Sequence, residues 1–311
     1  MSLVEQALKK IQASRSAETS TAAAARSPAA PSQPAKPDGA EQQARATPQS
    51  RQPERVKPVV KMDFDALRRA GILSPLEQER QLAAEYRQIK RPLISSALGR
   101  GMPKLPNGHL IMLASALPGD GKTFTSINLA LSLALEKDIS VLLVDADVAK
   151  PHISRTLGVA HELGLLDLLR DDHADVESLI LPTDVPGLSI LPAGQPSETA
   201  TELLASSRME TVVAQIGAHD PNRIVLFDSP PLLLTTESRA LAAIVGHIVI
   251  VVRAGITPQR AVLEAIDLLG DGKTVAFILN QSDESSRSDY YQQYGQSYGQ
   301  PSDASGGSLN A

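Results

Sequence analysis

Between Leu110 and Asn280 the chain alternates short, nearly continuous apolar runs with longer stretches whose apolar residues recur every three or four positions. The runs Leu110 to Ser115, Ser140 to Asp145, Leu188 to Leu191, Arg223 to Phe227, His247 to Val252 and Val275 to Leu279 read as strands. Most lack polar alternation, as parallel strands covered on both faces should. Phe124 to Glu136 and Ala261 to Leu269 carry helical spacing. The order predicts a doubly wound, mostly parallel α/β sheet of P-loop NTPase type, with its ligand at the carboxyl ends of the strands.

The flanks read differently. Ser2-Leu3-Val4-Glu5 forms a capping box, and Val4, Leu8 and Ile11 share a stripe, predicting a short amphipathic helix over 1–16. Residues 17–58 are rich in Ala, Pro, Ser and Gln with few large apolar side chains, the composition of a disordered linker. Residues 59–100 form a helical extension. Phe64 to Leu67 opens a helical patch, and Ser74-Pro75-Leu76-Glu77 opens a helix expected to run to about Lys90, with Pro92 disturbing its end. Its mixed charges suit either a solvated face or a subunit contact. The α/β domain spans 101–282, and 283–311 is a polar, flexible tail.

Ala116-Leu117-Pro118-Gly119-Asp120-Gly121-Lys122-Thr123 lies between the first strand and a helix, the context a phosphate-binding loop requires. The loop from Pro118 to Phe124 would surround the phosphates, with the backbone N–H groups of Gly119, Asp120, Gly121, Lys122, Thr123 and Phe124 as donors; Lys122 would reach the β and γ groups, and Thr123 would offer its hydroxyl to Mg²⁺. Gly119 and Gly121 permit close backbone approach. Gly-Asp-Gly-Lys-Thr recurs at 270–274 between a helix and a strand, the reverse order, with Asp267 where a small residue is needed. That copy reads as a helix stop and turn.

Two strand ends carry acids. Asp145 and Asp147 follow one apolar run and Asp228 another. With those strands adjacent in the sheet, Asp228 would hold Mg²⁺ or its water, Asp145 would support the metal, and Asp147 could accept a hydroxyl proton. Aspartates also cap strand ends in ordinary turns. Lys150 could meet a phosphate or simply be a surface lysine, and Arg253 could reach a ligand or cap its strand. The six histidines show no ligand spacing.

A net charge of −5 gives no general affinity for nucleic acid. With no cysteine there are no disulfides, which fits the cytoplasm. No apolar run approaches the roughly 18 residues of a membrane span, and no signal-peptide core opens the chain, so membrane association is expected through a partner. Tyr290, Tyr291, Tyr294 and Tyr298 are four of the chain's 5 tyrosines and sit in a polar tail with Asp283, Glu284 and Asp289 just before them. Beside a triphosphate site, such accessible rings read as phosphate acceptors rather than a merely sticky segment.

Together these residues resemble the bacterial tyrosine kinases of exopolysaccharide systems, most closely the exosortase-associated autokinases. The resemblance covers about Val59 to Tyr298. It rests on Glu85 to Pro92, the P-loop, Val144-Asp145-Ala146-Asp147 with Lys150-Pro151, Leu191-Pro192-Ala193-Gly194, Asp228-Ser229-Pro230-Pro231 and the tyrosine tail. It implies ATP with Mg²⁺, autophosphorylation of the tail in trans, ring-like homo-oligomers and activation by a membrane-bound polysaccharide co-polymerase at the inner membrane face. Lys122, Thr123, Asp145, Asp147 and Asp228 match the family's catalytic positions. The family's Glu-x-x-Arg-x-x-Arg oligomerisation motif has Ala84 in its first place with Glu85 displaced, then Arg87 and Lys90. Ala149 and Glu237 replace a frequent basic residue and a frequent Asp. Two other readings remain open, a switch ATPase of the partitioning type and a nucleotide-sensing adaptor. The switch ATPases carry a lysine early in the P-loop, where this chain has Leu117 and then Pro118.

Overall fold

The computed structural model describes residues 57–101, 103–270 and 272–282. The expected helix over 1–16, nearly all of the linker and the tyrosine tail lie outside them. In chain order the elements are α1 (Phe64–Arg69), a 3-10 turn (Leu76–Gln78), α2 (Glu79–Leu98), β1 (Leu110–Ser115), α3 (Lys122–Ala134), β2 (Ser140–Asp145), α4 (His152–Thr156), α5 (Leu165–Arg170) and α6 (Val176–Leu179). They continue with β3 (Leu181–Pro182), β4 (Leu188–Leu191), α7 (Ala200–Leu204), α8 (Ser207–Ala218), β5 (Arg223–Asp228), α9 (Glu237–Ile244), β6 (His247–Arg253), α10 (Gln259–Asp267) and β7 (Thr274–Asn280).

All six strands read from the apolar runs form, in one sheet of order β3-β4-β2-β5-β1-β6-β7. Every pairing is parallel except β3 with β4. Successive side chains of β1 serve opposite faces, which is why the run has no polar position. Leu110, Met112 and Ala114 pack with Leu165, Val212, Leu241 and Val262 on one side. Ile111 and Leu113 pack with Leu93, Ile94, Ile127 and Leu133 on the other. The chain leaves β1 for β2 on one side and returns to β6 on the other, so the order reverses at the carboxyl end of β1. This switch point opens the crevice in which open α/β sheets hold ligands.

Helix α2 corrects the sequence expectation. It continues through Pro92 to Leu98 rather than ending near Lys90. Proline removes one helical N–H, but Tyr86, Leu93, Ile94 and Ala97 bury one face of α2 and hold it through that defect. The helix stops at Gly99, whose φ of 71° turns the chain left-handed. At the other end the capping box expected at Ser74 is replaced by the 3-10 turn, which has no side-chain cap. Strand β3 was missed because two residues carry no periodicity. It is extended by Val60, whose N–H donates to the Pro182 carbonyl at 2.8 Å.

Lys90 is only 4% exposed. Its ammonium donates to the Ser132 carbonyl at 2.6 Å and pairs with Glu136 at 2.8 Å, fastening α2 to the carboxyl end of α3. It is therefore used inside the protomer, not on a solvated face. Lys90→Met is expected to lower stability in urea unfolding by about 1–3 kcal/mol, because a buried carbonyl loses its donor. The exposed Arg91→Met should stay within about 0.5 kcal/mol of the parent.

The second Gly-Asp-Gly-Lys-Thr is a turn between α10 and β7, with Gly270 and Gly272 at φ of 73° and 80°. The Lys273 ammonium donates to the Ala243 carbonyl at 2.6 Å, capping α9 instead of facing an anion.

Candidate active site

The P-loop leaves β1 and feeds α3, whose first helical residue is Lys122. Gly119 and Gly121 take φ of 86° and 93°, which side chains with a Cβ avoid. At Gly121 a Cβ would also lie 2.0 Å from the Asn280 amide nitrogen. The unpaired N–H groups of the first turn of α3 face a cleft of about 590 Å³, and such a terminus favours anions. Pro118, Gly119, Gly121, Lys122, Thr123 and Phe124 line it as expected.

Asp120 does not line it. Its carboxylate is turned inward, 3% exposed, accepting from the Thr257 hydroxyl at 2.6 Å and the Leu117 N–H at 3.4 Å. The Asn280 amide donates to the Asp120 carbonyl at 2.9 Å. Asp120 thus braces the loop from behind, tying it to the ends of β6 and β7.

Strand β5 lies between β1 and β2, and the register sets Asp145 beside Asp228. The Thr123 hydroxyl donates to one Asp228 oxygen and the Ser126 hydroxyl to the other, each at 2.8 Å. Asp145 is fully buried. One of its oxygens accepts the Ser154 N–H at 2.8 Å and hydroxyl at 2.7 Å, while the other, Oδ1, has no partner. Asp147 lines the cleft and accepts the Lys150 N–H at 3.2 Å. The three acids therefore do not stand as equals. Asp147 meets the cleft, Asp228 holds the P-loop threonine, and Asp145 lies sealed beneath them.

Burial raises the pKa of each. Asp145 is pushed up to about 7, with the Ser154 hydrogen bonds opposing and the charges of Asp228 and Asp147 reinforcing the shift. Asp147 is raised by burial against the pull of Lys150, Lys122 and His152. Asp228 is raised by burial against Lys122, Thr123 and Ser126. The orphaned Asp145 oxygen, Asp228 and the Thr123 hydroxyl form a hard-oxygen donor set that suits Mg²⁺. Among the described residues no three His, Cys, Asp or Glu are grouped to hold a metal ion by themselves.

A raised carboxyl pKa makes folding take up a proton. In metal-free protein the cost of Asp145 is absent below pH about 4, grows as pH rises towards 7, and is fully present above it. Stability should fall across that window by on the order of 4 kcal/mol. Asp145→Asn should flatten the fall, read from urea midpoints at pH 5 and pH 8, and an unchanged slope would remove Asp145 as its source.

Ser126, Ser154 and Asn280 were not legible as site residues. Ser126 had a signal, lying three positions after Thr123 on one helix face; Ser154 and Asn280 had none. Lys150 and His152 line the cleft, whereas Arg253 does not. His247 is buried instead against Ser96, ring nitrogen to hydroxyl at 2.5 Å.

A family model described as an AAA domain matches residues 108–268. The chain is 37% identical over 145 residues to the putative tyrosine-protein kinase EpsB of Ralstonia nicotianae, covering 47% of this chain and 19% of that protein. It is 27% identical over 223 residues to the tyrosine-protein kinase YwqD of Bacillus subtilis, covering 71% of this chain and 90% of that one. The crystal structure of the VpsO kinase domain superposes with a TM-score of 0.55 at 28% identity, covering 67% of this chain and 100% of that domain. The chain thus spans about a fifth of the Ralstonia protein and nearly the whole of the Bacillus one.

Proposed function

The chain belongs to the AAA-domain family, and from that premise we propose that it is an ATP-dependent protein-tyrosine autokinase of exopolysaccharide synthesis, phosphorylating Tyr290, Tyr291, Tyr294 and Tyr298. One observation carries the reading: Lys122, Thr123 and Asp147 share a cleft whose lining includes Asn280 and Gln281, which precede the tail by a few residues in the sequence. The relatives named above as tyrosine-protein kinases support it.

The chemistry needs little covalent help from the protein. The P-loop N–H groups and Lys122 hold the triphosphate and spread its charge. Asp147 faces the tyrosine hydroxyl and takes its proton as the oxygen bonds to the γ-phosphorus and ADP leaves. A carboxylate with raised pKa is the better base near neutral pH. Mg²⁺, when held by Thr123 and Asp228 with Asp145 behind them, supplies charge neutralisation at the β and γ phosphates.

The family resemblance of the sequence extends this proposal to a membrane-bound polysaccharide co-polymerase as partner and to a homo-oligomer. Among the described residues no helix is long and apolar enough to cross a membrane; in this proposal that partner recruits the chain to the inner membrane face. Because Lys90 is occupied within the protomer, an oligomer contact on the extension would rest on other residues of α2.

Incubation of the intact chain with ATP and Mg²⁺, followed by phosphosite mapping, tests the proposal. Phosphate should appear on the four tail tyrosines. ATP turnover with unmodified tyrosines would mark a switch ATPase instead, and nucleotide binding with neither would mark an adaptor.

A further inference from the structure

The cleft has an unequal charge distribution around Asp147. Lys150 and His152, both exposed, line the same wall as Asp147. Both are near enough to pull its carboxyl pKa downward. Among the described residues neither holds an ion pair. The tail supplies the opposite sign: between Ser282 and Tyr290 it carries Asp283, Glu284 and Asp289 against one Arg287, with Asp289 directly before Tyr290.

Resting on the kinase reading, we propose that Lys150 and His152 form an acceptor-recognition wall that selects tyrosines preceded by an acidic residue, with Asp289-Tyr290 as the preferred site. An acidic residue next to a reacting tyrosine would otherwise be brought towards Asp147, a like charge that repels it. The Lys150 N–H already contacts Asp147. In the proposed complex its exposed, long-stemmed ammonium meets the side chain of the residue beside the tyrosine, one Cα spacing of about 3.8 Å away along the acceptor. Tyr291, Tyr294 and Tyr298 follow Tyr290, Gln293 and Ser297, so they lack that acid. The wall predicts an order of modification as well as a rate.

The test uses the full chain with Asp289→Asn, Lys150→Gln and the pair combined, reading the initial rate of phosphate appearance on each tyrosine and the KM for ATP. Each single variant should slow Tyr290 by about two- to fivefold, as expected of one exposed ion pair. The ATP KM should not move, and the pair should be no slower than the slower single variant. The charge exchange Lys150→Glu with Asp289→Lys should restore most of the rate. Additive losses, or an ATP KM raised by Lys150→Gln, would overturn the wall and make Lys150 a phosphate ligand. Tail phosphorylation indifferent to Asp289→Asn would sink this inference alone, whereas wild-type protein free of phosphotyrosine would sink the kinase reading with it.

Discussion

Lys122→Ala protein incubated with labelled ATP and Mg²⁺ should lose tail phosphorylation by at least about a hundredfold, the usual cost of removing one preorganised group from a charge-stabilising site. Lys122 opens α3, where the first-turn N–H groups already favour an anion, and its charge acts on both Asp147 and Asp228. Removing it does two things. It deletes a cation that would meet the β and γ phosphates, and it leaves buried carboxylates uncompensated, so a triphosphate must approach a more negative floor. ATP affinity should fall together with the rate, which filter binding with labelled nucleotide reads directly. Residual labelling within tenfold of the parent, in protein that still melts cooperatively, would mean that the phosphates lie elsewhere.

Much of this site could be read from the chain because its parts are local. Strand, glycine loop, lysine and helix are contiguous from Leu110 to Ala134, so hydrophobic pattern and turn chemistry identify them together. Asp145 and Asp228 were legible for a related reason, since each ends an apolar run and the parallel register then sets them side by side. What escaped depends on distant partners. Asp120 sits in the loop's sequence pattern, yet its side chain answers to Thr257, 137 positions away. Lys90 looks like one charge among many until α2 lies along α3. Pro92 looks like a helix end, and only the apolar face on its far side keeps the helix going. Sequence pattern reports what a residue's neighbours in the chain demand; these three are governed by neighbours in space.

Asp228→Asn should separate activity from stability. The amide keeps the shape of the carboxylate, and the Thr123 and Ser126 hydroxyls can rotate to bond either of its polar atoms, so the hydrogen bonds now at 2.8 Å have partners to return to. What disappears is a buried charge whose pKa is raised by desolvation, a form the fold holds at a cost. The variant is therefore expected to be as stable as the parent or more so, by up to about 1–2 kcal/mol at neutral pH. Phosphorylation of the tail should nonetheless fall by about a hundred- to a thousandfold, because the charge was the means of holding the metal against Thr123. Mg²⁺ titrations should show half-activation displaced to higher concentration. Asp228→Ala distinguishes the two roles further, since it also strips both hydroxyls of their partner and should lower stability as well as activity. If Asp228→Asn instead lost stability in step with activity, Asp228 would be a brace of the P-loop helix and the metal would have to be held by other groups.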